Sequence, residues 1–438
     1  MLGLYRLHSK KHLNFSALRK LISGRIVGLE DSRQEGKVEY SLHDCCQSVF
    51  AMMFFQDPSI NAFQQRLQDK QQKNNLKTLF NVGEIPKSTQ LRTALDDIPS
   101  TEIERLFSDF LHPVQRGKQL ELFEFIEGKY LIPLDGVQYF SSAKISCDCC
   151  LTKKTKKTTT YYHQVVAATI VCPGIKQVML LAPEPIQNSD GNTKQDCEIN
   201  AGKRLVKKIR VTHPKLKIII AGDGLYSKQP FIDELKQYGM SFILVAKPTD
   251  HTFLYQWFSE FHQMGETEQL TIYDNKGRRH LYEWVNDIPL NGSKDADNVG
   301  YFEYTIFKGD KVNYHNSWVT DITILRANII QLVKGGRARW KIENEAFNTL
   351  KNQGYHLEHN FGHGKKYLSY NLLLFNFLAF FMHQIFELSD RLYQNCRGKF
   401  TSRKEYWNQL RCTIRILIFP SFESLLKFII DPDSGIPP

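Results

Sequence analysis

From Arg337 to Gln353 the chain carries neither glycine nor proline, and its apolar residues recur at helical spacing. At about 100° per residue, Trp340, Ile342, Ala346, Phe347 and Leu350 share one arc. That arc predicts a helix packed by this face onto an apolar surface. The Gly335–Gly336 pair ahead of it is expected to end the preceding element. Inside the same arc stand Arg339 and Glu343, four residues apart, whereas Lys341 and Glu345 fall on the opposite face. A carboxylate within an apolar stripe is costly to bury unless a cation, a metal or a shifted pKa compensates it. Taken alone, the plain reading is a buried Arg339–Glu343 ion pair holding the helix to a sheet. Glu345 is the alternative acid, but it points away from the stripe.

Two further carboxylates change the weight of that reading. Tyr130-Leu131-Ile132-Pro133-Leu134 is an apolar run followed by Asp135-Gly136, and Ile218-Ile219-Ile220-Ala221-Gly222 is followed by Asp223-Gly224. Each reads as a core strand with an aspartate at its carboxyl end. One Asp-Gly step after a strand is usually a turn, because aspartate caps backbone donors and glycine accepts positive φ. Strands over Tyr161–Val171, Gln177–Leu181 and Ser241–Ala246 are expected around them, with helices over Asp196–Val211 and Phe231–Tyr238. Oxygen ligands from two strands and one helix can converge on Mg²⁺ or Mn²⁺, hard cations that prefer carboxylates. Two such ions about 3.5–4 Å apart can activate a water or 3′-hydroxyl and stabilise the leaving oxygen of a phosphodiester.

Asp135, Asp223 and Glu343 in this strand–strand–helix order resemble the DDE triad of bacterial insertion-sequence transposases. The segments that carry the likeness are Leu134-Asp135-Gly136-Val137-Gln138-Tyr139-Phe140, Ile220-Ala221-Gly222-Asp223-Gly224 and Arg339-Trp340-Lys341-Ile342-Glu343. The resemblance covers about residues 40–390. It implies a cut-and-paste enzyme whose catalytic domain has the RNase H-like fold, a mixed sheet flanked by helices. Asp135, Asp223 and Glu343 would then be both catalytic and metal-binding, with Mg²⁺ or Mn²⁺ as cofactor. Within the group bearing a tyrosine-arginine-glutamate-lysine signature, Arg339 and Glu343 match in spacing. The tyrosine position holds Gly336, and Lys351 comes one residue late. Arg339 is accordingly expected to touch DNA phosphate or orient the glutamate, and Lys351 to touch DNA. The rival readings are a metal-dependent nuclease on the same fold without strand transfer, and a DNA-binding relative that is not an enzyme.

The resemblance divides the chain into a helical N-terminal part (1–125, for DNA-end binding or dimerisation), a catalytic part (126–246), a β-rich insertion (247–322), the second catalytic part (323–388) and a helical tail (389–438). In the insertion, Leu270–Tyr273, His280–Val285, Tyr301–Phe307 and Asn313–Val319 alternate like strands between turn signals. Arg278, Arg279 and Trp284 there are candidates to meet bent DNA or a flipped base, although for each a structural role is the default. Lys153, Lys154, Lys156 and Lys157 form a basic hairpin tip, a solvated tip by default and a phosphate contact in a DNA enzyme. Asp196 and Glu198 begin a helix, either as an extra carboxylate pair or as partners of its dipole, and the second reading is favoured.

The net charge of +11 and pI near 9.0 favour an anionic partner. Double-stranded DNA, as terminal inverted repeats and target, is the partner the resemblance implies, with a homodimer on two ends. Tyr367–Phe386 is nearly all apolar but interrupted by Asn371, Asn376 and His383, which predicts a buried helix rather than a membrane span. Met1–Phe15 lacks a sustained apolar run, so no secretory leader is expected. Nine cysteines, three of them crowded at Cys147, Cys149 and Cys150, suggest reduced thiols and a cytoplasmic setting, which the resemblance narrows to a nucleoid-associated one. Cys147 and Cys150 have zinc-ligand spacing, and His163 or Cys197 could complete a structural Zn²⁺ site. His356, His359 and His363 suggest metal ligands too, but their glycine-rich setting reads more readily as a polar loop.

Overall fold

The computed structural model describes residues 11–434 apart from 32, 34, 35, 37, 69–73 and 188–194. Ahead of residue 125 the chain is helical, over Phe15–Val27, Leu42–Phe54, Ile60–Gln68, Asn75–Phe80, Ser88–Asp97 and Ser100–Arg116. Local chemistry starts these helices: Asn14 accepts from the Ala17 N–H at 2.9 Å, and Ser41 from the Asp44 N–H at 3.0 Å. Three of them, Leu42–Phe54, Ser88–Asp97 and Ser100–Arg116, pack against the long apolar helix Leu368–Ser389. That helix is the one among the described residues long and apolar enough to cross a membrane, and 89% of its most apolar window is buried inside the molecule. Buried apolar side chains run without a break from Leu13 to Ile429. The change near residue 125 is therefore one of secondary structure, with the core continuing across it.

The strands are β1 (Glu124–Ile126), β2 (Lys129–Ser142), β3 (Leu151–Lys154), β4 (Thr159–Ile170), β5 (Met179–Leu180), β6 (Glu184–Ile186), β7 (Ile218–Gly222), β8 (Ser241–Val245), β9 (Glu268–Tyr273), β10 (Arg279–Pro289), β11 (Asn298–Lys308) and β12 (Lys311–Thr320). They form one mixed sheet flanked by helices, in the order β3-β4-β2-β7-β8-β12-β11-β10-β9, with β1 on β2 and both β5 and β6 on β4. β2, β7 and β8 run parallel, and the other pairings are antiparallel. Every residue of β7 is buried, as its unbroken aliphatic sequence requires of a central strand covered on both faces.

Three local expectations are corrected. Asp135-Gly136 is not a turn: β2 runs straight through it, because β4 pairs with its second half, Leu134 opposite Ala168 and Gly136 opposite Val166. Gly335 and Gly336 do not end a helix. They lie buried within the helix Ile329–Ala338, where a Cβ on Gly336 would come within 2.5 Å of the Trp318 indole and one on Gly335 within 2.7 Å of Phe125. Glycine is used there so that the helix can lie close on the sheet. Trp340, assigned to the apolar arc, is 48% exposed. A π-helical turn over Ile342–Phe347 follows it, in which the Asn348 N–H donates to the Glu343 carbonyl, and that wider turn rotates the face away from simple α spacing.

Strands β9–β12 continue the sheet rather than standing off from it. β12 pairs antiparallel with β8, Trp318 opposite Val245 and Thr320 opposite Ile243.

Candidate functional site

Register sets the two aspartates at the same end of neighbouring parallel strands. In the parallel pair β2–β7, Pro133 lies opposite Ala221. Asp135 follows two residues later within β2, and Asp223 is the first residue after β7 ends at Gly222, so both stand at the carboxyl end of this parallel pair. Each is anchored by its own backbone: Asp135 Oδ1 accepts from the Gly136 N–H at 2.9 Å, and Asp223 Oδ1 from the Leu225 N–H at 2.8 Å.

Glu343 reaches the same place from the π turn, which packs against β2. Arg339 Nη1 donates to Glu343 Oε1 at 2.8 Å and lies 3.9 Å from Asp135 Oδ2. The arginine is 7% exposed, and its guanidinium stacks on Trp340 at 4.5 Å. The anticipated Arg339–Glu343 pair thus exists, with one of the aspartates beside it. Burial, and then the facing Glu343 charge, hold the Asp135 carboxyl well above the usual carboxylate range; Arg339 opposes the rise and Glu198 adds to it.

Glu198 is the residue that sequence reasoning misassigned. Rather than serving only the dipole of the helix Glu198–Thr212, it reaches across to Gly136, where any side chain would collide with its carboxylate. Tyr226 donates to Glu198 Oε1 at 3.0 Å. Burial raises the Glu198 carboxyl, the Tyr226 hydroxyl pulls it down, and the Asp223 charge pushes it up again. Asp196 turns elsewhere and pairs with Arg204 at 2.8 Å. Glu198 sits three residues after Gln195, in the same short segment as the polar start of a helix. Nothing local distinguishes it from a dipole partner; only the crossing of that helix over β2 does.

A second group forms beyond the acids. Cys147 Sγ and Cys150 Sγ are 3.6 Å apart, His163 Nε2 lies 3.6 Å and 3.5 Å from them, and His363 Nε2 lies 3.5 Å from Cys150 Sγ and 3.1 Å from His163 Nε2. All four ligand atoms fall within 4.8 Å of one another, and the group could hold a metal ion such as zinc. His163 was one of two expected candidates; Cys197, the other, is exposed at a helix start. His363, read as part of a polar loop, is the fourth member. Burial, and then the neighbouring imidazole, push His163 down to about 4, so its ring is neutral near physiological pH.

The remaining DNA-contact candidates are scattered. Trp284 is fully buried, because it shares with Phe302 and Trp318 the sheet face on which the helix Ile329–Ala338 lies, and it cannot meet a base as it stands. Arg278 is paired with Asp274 at 2.6 Å in the β9–β10 turn, and Arg279 stacks over Phe307 at 3.9 Å. Both belong to the end of the sheet four strands away from β7. Lys351 pairs with Glu358 at 2.9 Å. Lys153 and Lys154 are exposed at the end of β3, on the opposite edge. No family model matches this chain, and no curated protein matches it.

Proposed function

We propose that the chain is a DNA transposase of the DDE type, cleaving phosphodiesters at transposon ends and transferring strands into target DNA with Mg²⁺ or Mn²⁺. The single observation that carries this reading is Asp135 on β2 beside the Arg339–Glu343 pair, with Asp223 just past the end of the parallel neighbour β7. The sheet supports it as well: the antiparallel strands β3, β4 and β2 beside a parallel trio (β2, β7, β8) are compatible with an RNase H-like catalytic domain, with β9–β12 as the insertion before the glutamate. A basic chain of +11 suits a polyanionic substrate.

The donor set suits a hard divalent cation. It is made of carboxylate oxygens, partly exposed, and one of them is held above its ordinary pKa by its neighbours, a strain that a bound cation would relieve. Asp135, Asp223 and Glu343 would hold the metal; when bound, it would supply Lewis acidity and a lowered pKa for a coordinated water or 3′-hydroxyl. Arg339 fixes the glutamate rotamer and offsets part of the acids' mutual repulsion. Glu198, locked by Tyr226 against Gly136, holds the β2 backbone at the aspartate. No side chain at this centre is placed as a nucleophile, so the attacking oxygen comes from water or from DNA.

The test is a gel assay on labelled DNA bearing the element's ends, with Mg²⁺ or with a chelator. The reading expects cut and joined products in Mg²⁺ and neither with the chelator. Cutting without joining would favour the plain nuclease, and uncut DNA with retained binding would favour a DNA-binding relative without catalysis.

A further inference from the structure

The geometry points to a closed structural zinc site at Cys147, Cys150, His163 and His363, one that staples the β2–β3 connection and β4 to the loop following the glutamate helix. Tetrahedral Zn²⁺ with ordinary bond lengths requires ligand separations of about 3.8 Å for sulfur–sulfur, about 3.6 Å for sulfur–nitrogen and about 3.4 Å for nitrogen–nitrogen. The observed values are 3.6 Å, 3.5–3.6 Å and 3.1 Å. Four polar atoms converging at those spacings need a cation at their centre more than they need each other, since two facing ring nitrogens and two thiols make a poor hydrogen-bond set.

The supporting contacts prepare the ligands. His363 Nδ1 lies 3.1 Å from the Gly364 carbonyl, which can only accept, so that nitrogen carries the proton and Nε2 presents a lone pair. Cys147 and Cys150 are held in a turn by the Cys150 N–H donating to the Cys147 carbonyl at 3.1 Å, and the Cys147 N–H faces Cys150 Sγ at 3.4 Å. Phe140 packs on both imidazoles, at 5.5 Å and 4.6 Å. Sulfur and imidazole donors select zinc over the hard cations that the acidic centre suits. Four protein ligands leave no open position, which marks the ion as structural rather than catalytic.

His363 lies 200 residues from His163, so the ion ties parts of the chain that no local interaction links. On one side are the β2–β3 connection, with Cys147 and Cys150, and β4, whose His163 stands opposite Phe140 of β2. On the other is the loop from Tyr355 to Tyr367, reached directly from the Glu343 turn. Asp96 fastens the end of that loop by accepting the N–H groups of Lys365, Lys366, Tyr367 and Leu368. The zinc would be its second tie. This assignment stands on the sulfur and imidazole geometry alone and does not depend on the proposed activity.

Metal analysis of the full chain, purified without chelator, should give about one zinc per chain. Replacement by Co²⁺ should give the intense visible bands of a tetrahedral ion, with a near-ultraviolet thiolate band. H363Q should lose the metal, H363C should keep it with a stronger thiolate band, and C149S should keep it unchanged. Folded protein with less than about a tenth of an equivalent of zinc, or a weak octahedral cobalt spectrum, would overturn the proposal, as would C149S losing metal as readily as C150S. Should H363Q fail to fold, the wild-type cobalt spectrum still decides. A chelator should lower the Tm of the wild type, and an unchanged Tm on complete zinc removal would refute the staple.

Discussion

Two polar centres border the paired strands β2 and β4, and they solve opposite problems. The acidic centre gathers like charges: Asp135, Asp223, Glu198 and Glu343 face one another with one buried guanidinium among them. Its ligands are hard and partly exposed, and its geometry is left open. The Cys/His centre gathers soft donors into a set whose spacings already fit one ion, walled by Phe140 and with Cys150 and His163 buried. An open, charge-strained site can exchange ions and admit a phosphate, whereas a closed one can only hold its ion and stiffen what surrounds it. The comparison teaches that hard carboxylate oxygens and soft sulfur and imidazole donors, set apart on neighbouring strands, would select different ions.

The comparison breaks most sharply at Arg339. R339Q leaves Glu343 unanchored and the acids less compensated, and cleavage should fall by roughly 10–100-fold, the usual cost of losing an orienting partner. Zinc content should not change. Equal loss of zinc and cleavage would mean that the two centres form one cooperative unit.

A smaller effect separates them by pH. The folded-state pKa of Asp135 is raised, so the folded chain holds this proton more tightly than the unfolded one. That contribution to stability is fully present below the unfolded carboxylate pKa and is lost as pH rises through the raised folded value. In metal-free buffer at neutral pH, D135N should therefore be more stable than wild type, by about 1 kcal/mol. The advantage should vanish in acid. Mg²⁺ should raise the Tm of the wild type and not of the variant. A D135N chain less stable than wild type at neutral pH would show that Asp135 is a net stabilising group and that the acidic centre is not strained.

Much of the frame could be read from residue order alone. The aliphatic run Ile218–Ala221 had to be a buried strand, and the four-residue spacing of Arg339 and Glu343 announced their ion pair. The membrane-like run around Leu368 gave itself away as core by its interior Asn371, Asn376 and His383. What could not be read depended on distant packing. Gly335 and Gly336 look like a helix stop until Trp318 and Phe125 are known to press on them. Trp284 looks like a DNA contact until the helix Ile329–Ala338 is known to lie on the sheet face it shares with Trp318. His363 and Glu198 reveal their partners only once the chain has brought β2 and β4 alongside, because no spacing rule links residues so far apart. Trp340 failed for another reason: a π turn changes the period on which the wheel depends.

The central claim is that Asp135, Asp223 and Glu343 act together as ligands over a phosphodiester. The most direct check is the single-turnover cleavage rate of E343Q in Mg²⁺, measured beside its zinc content and its DNA affinity. The account predicts a loss of at least about 10³-fold, equivalent to about 4 kcal/mol of barrier, with zinc and DNA binding retained. Cleavage by E343Q at the wild-type rate would contradict it and turn attention to Glu345.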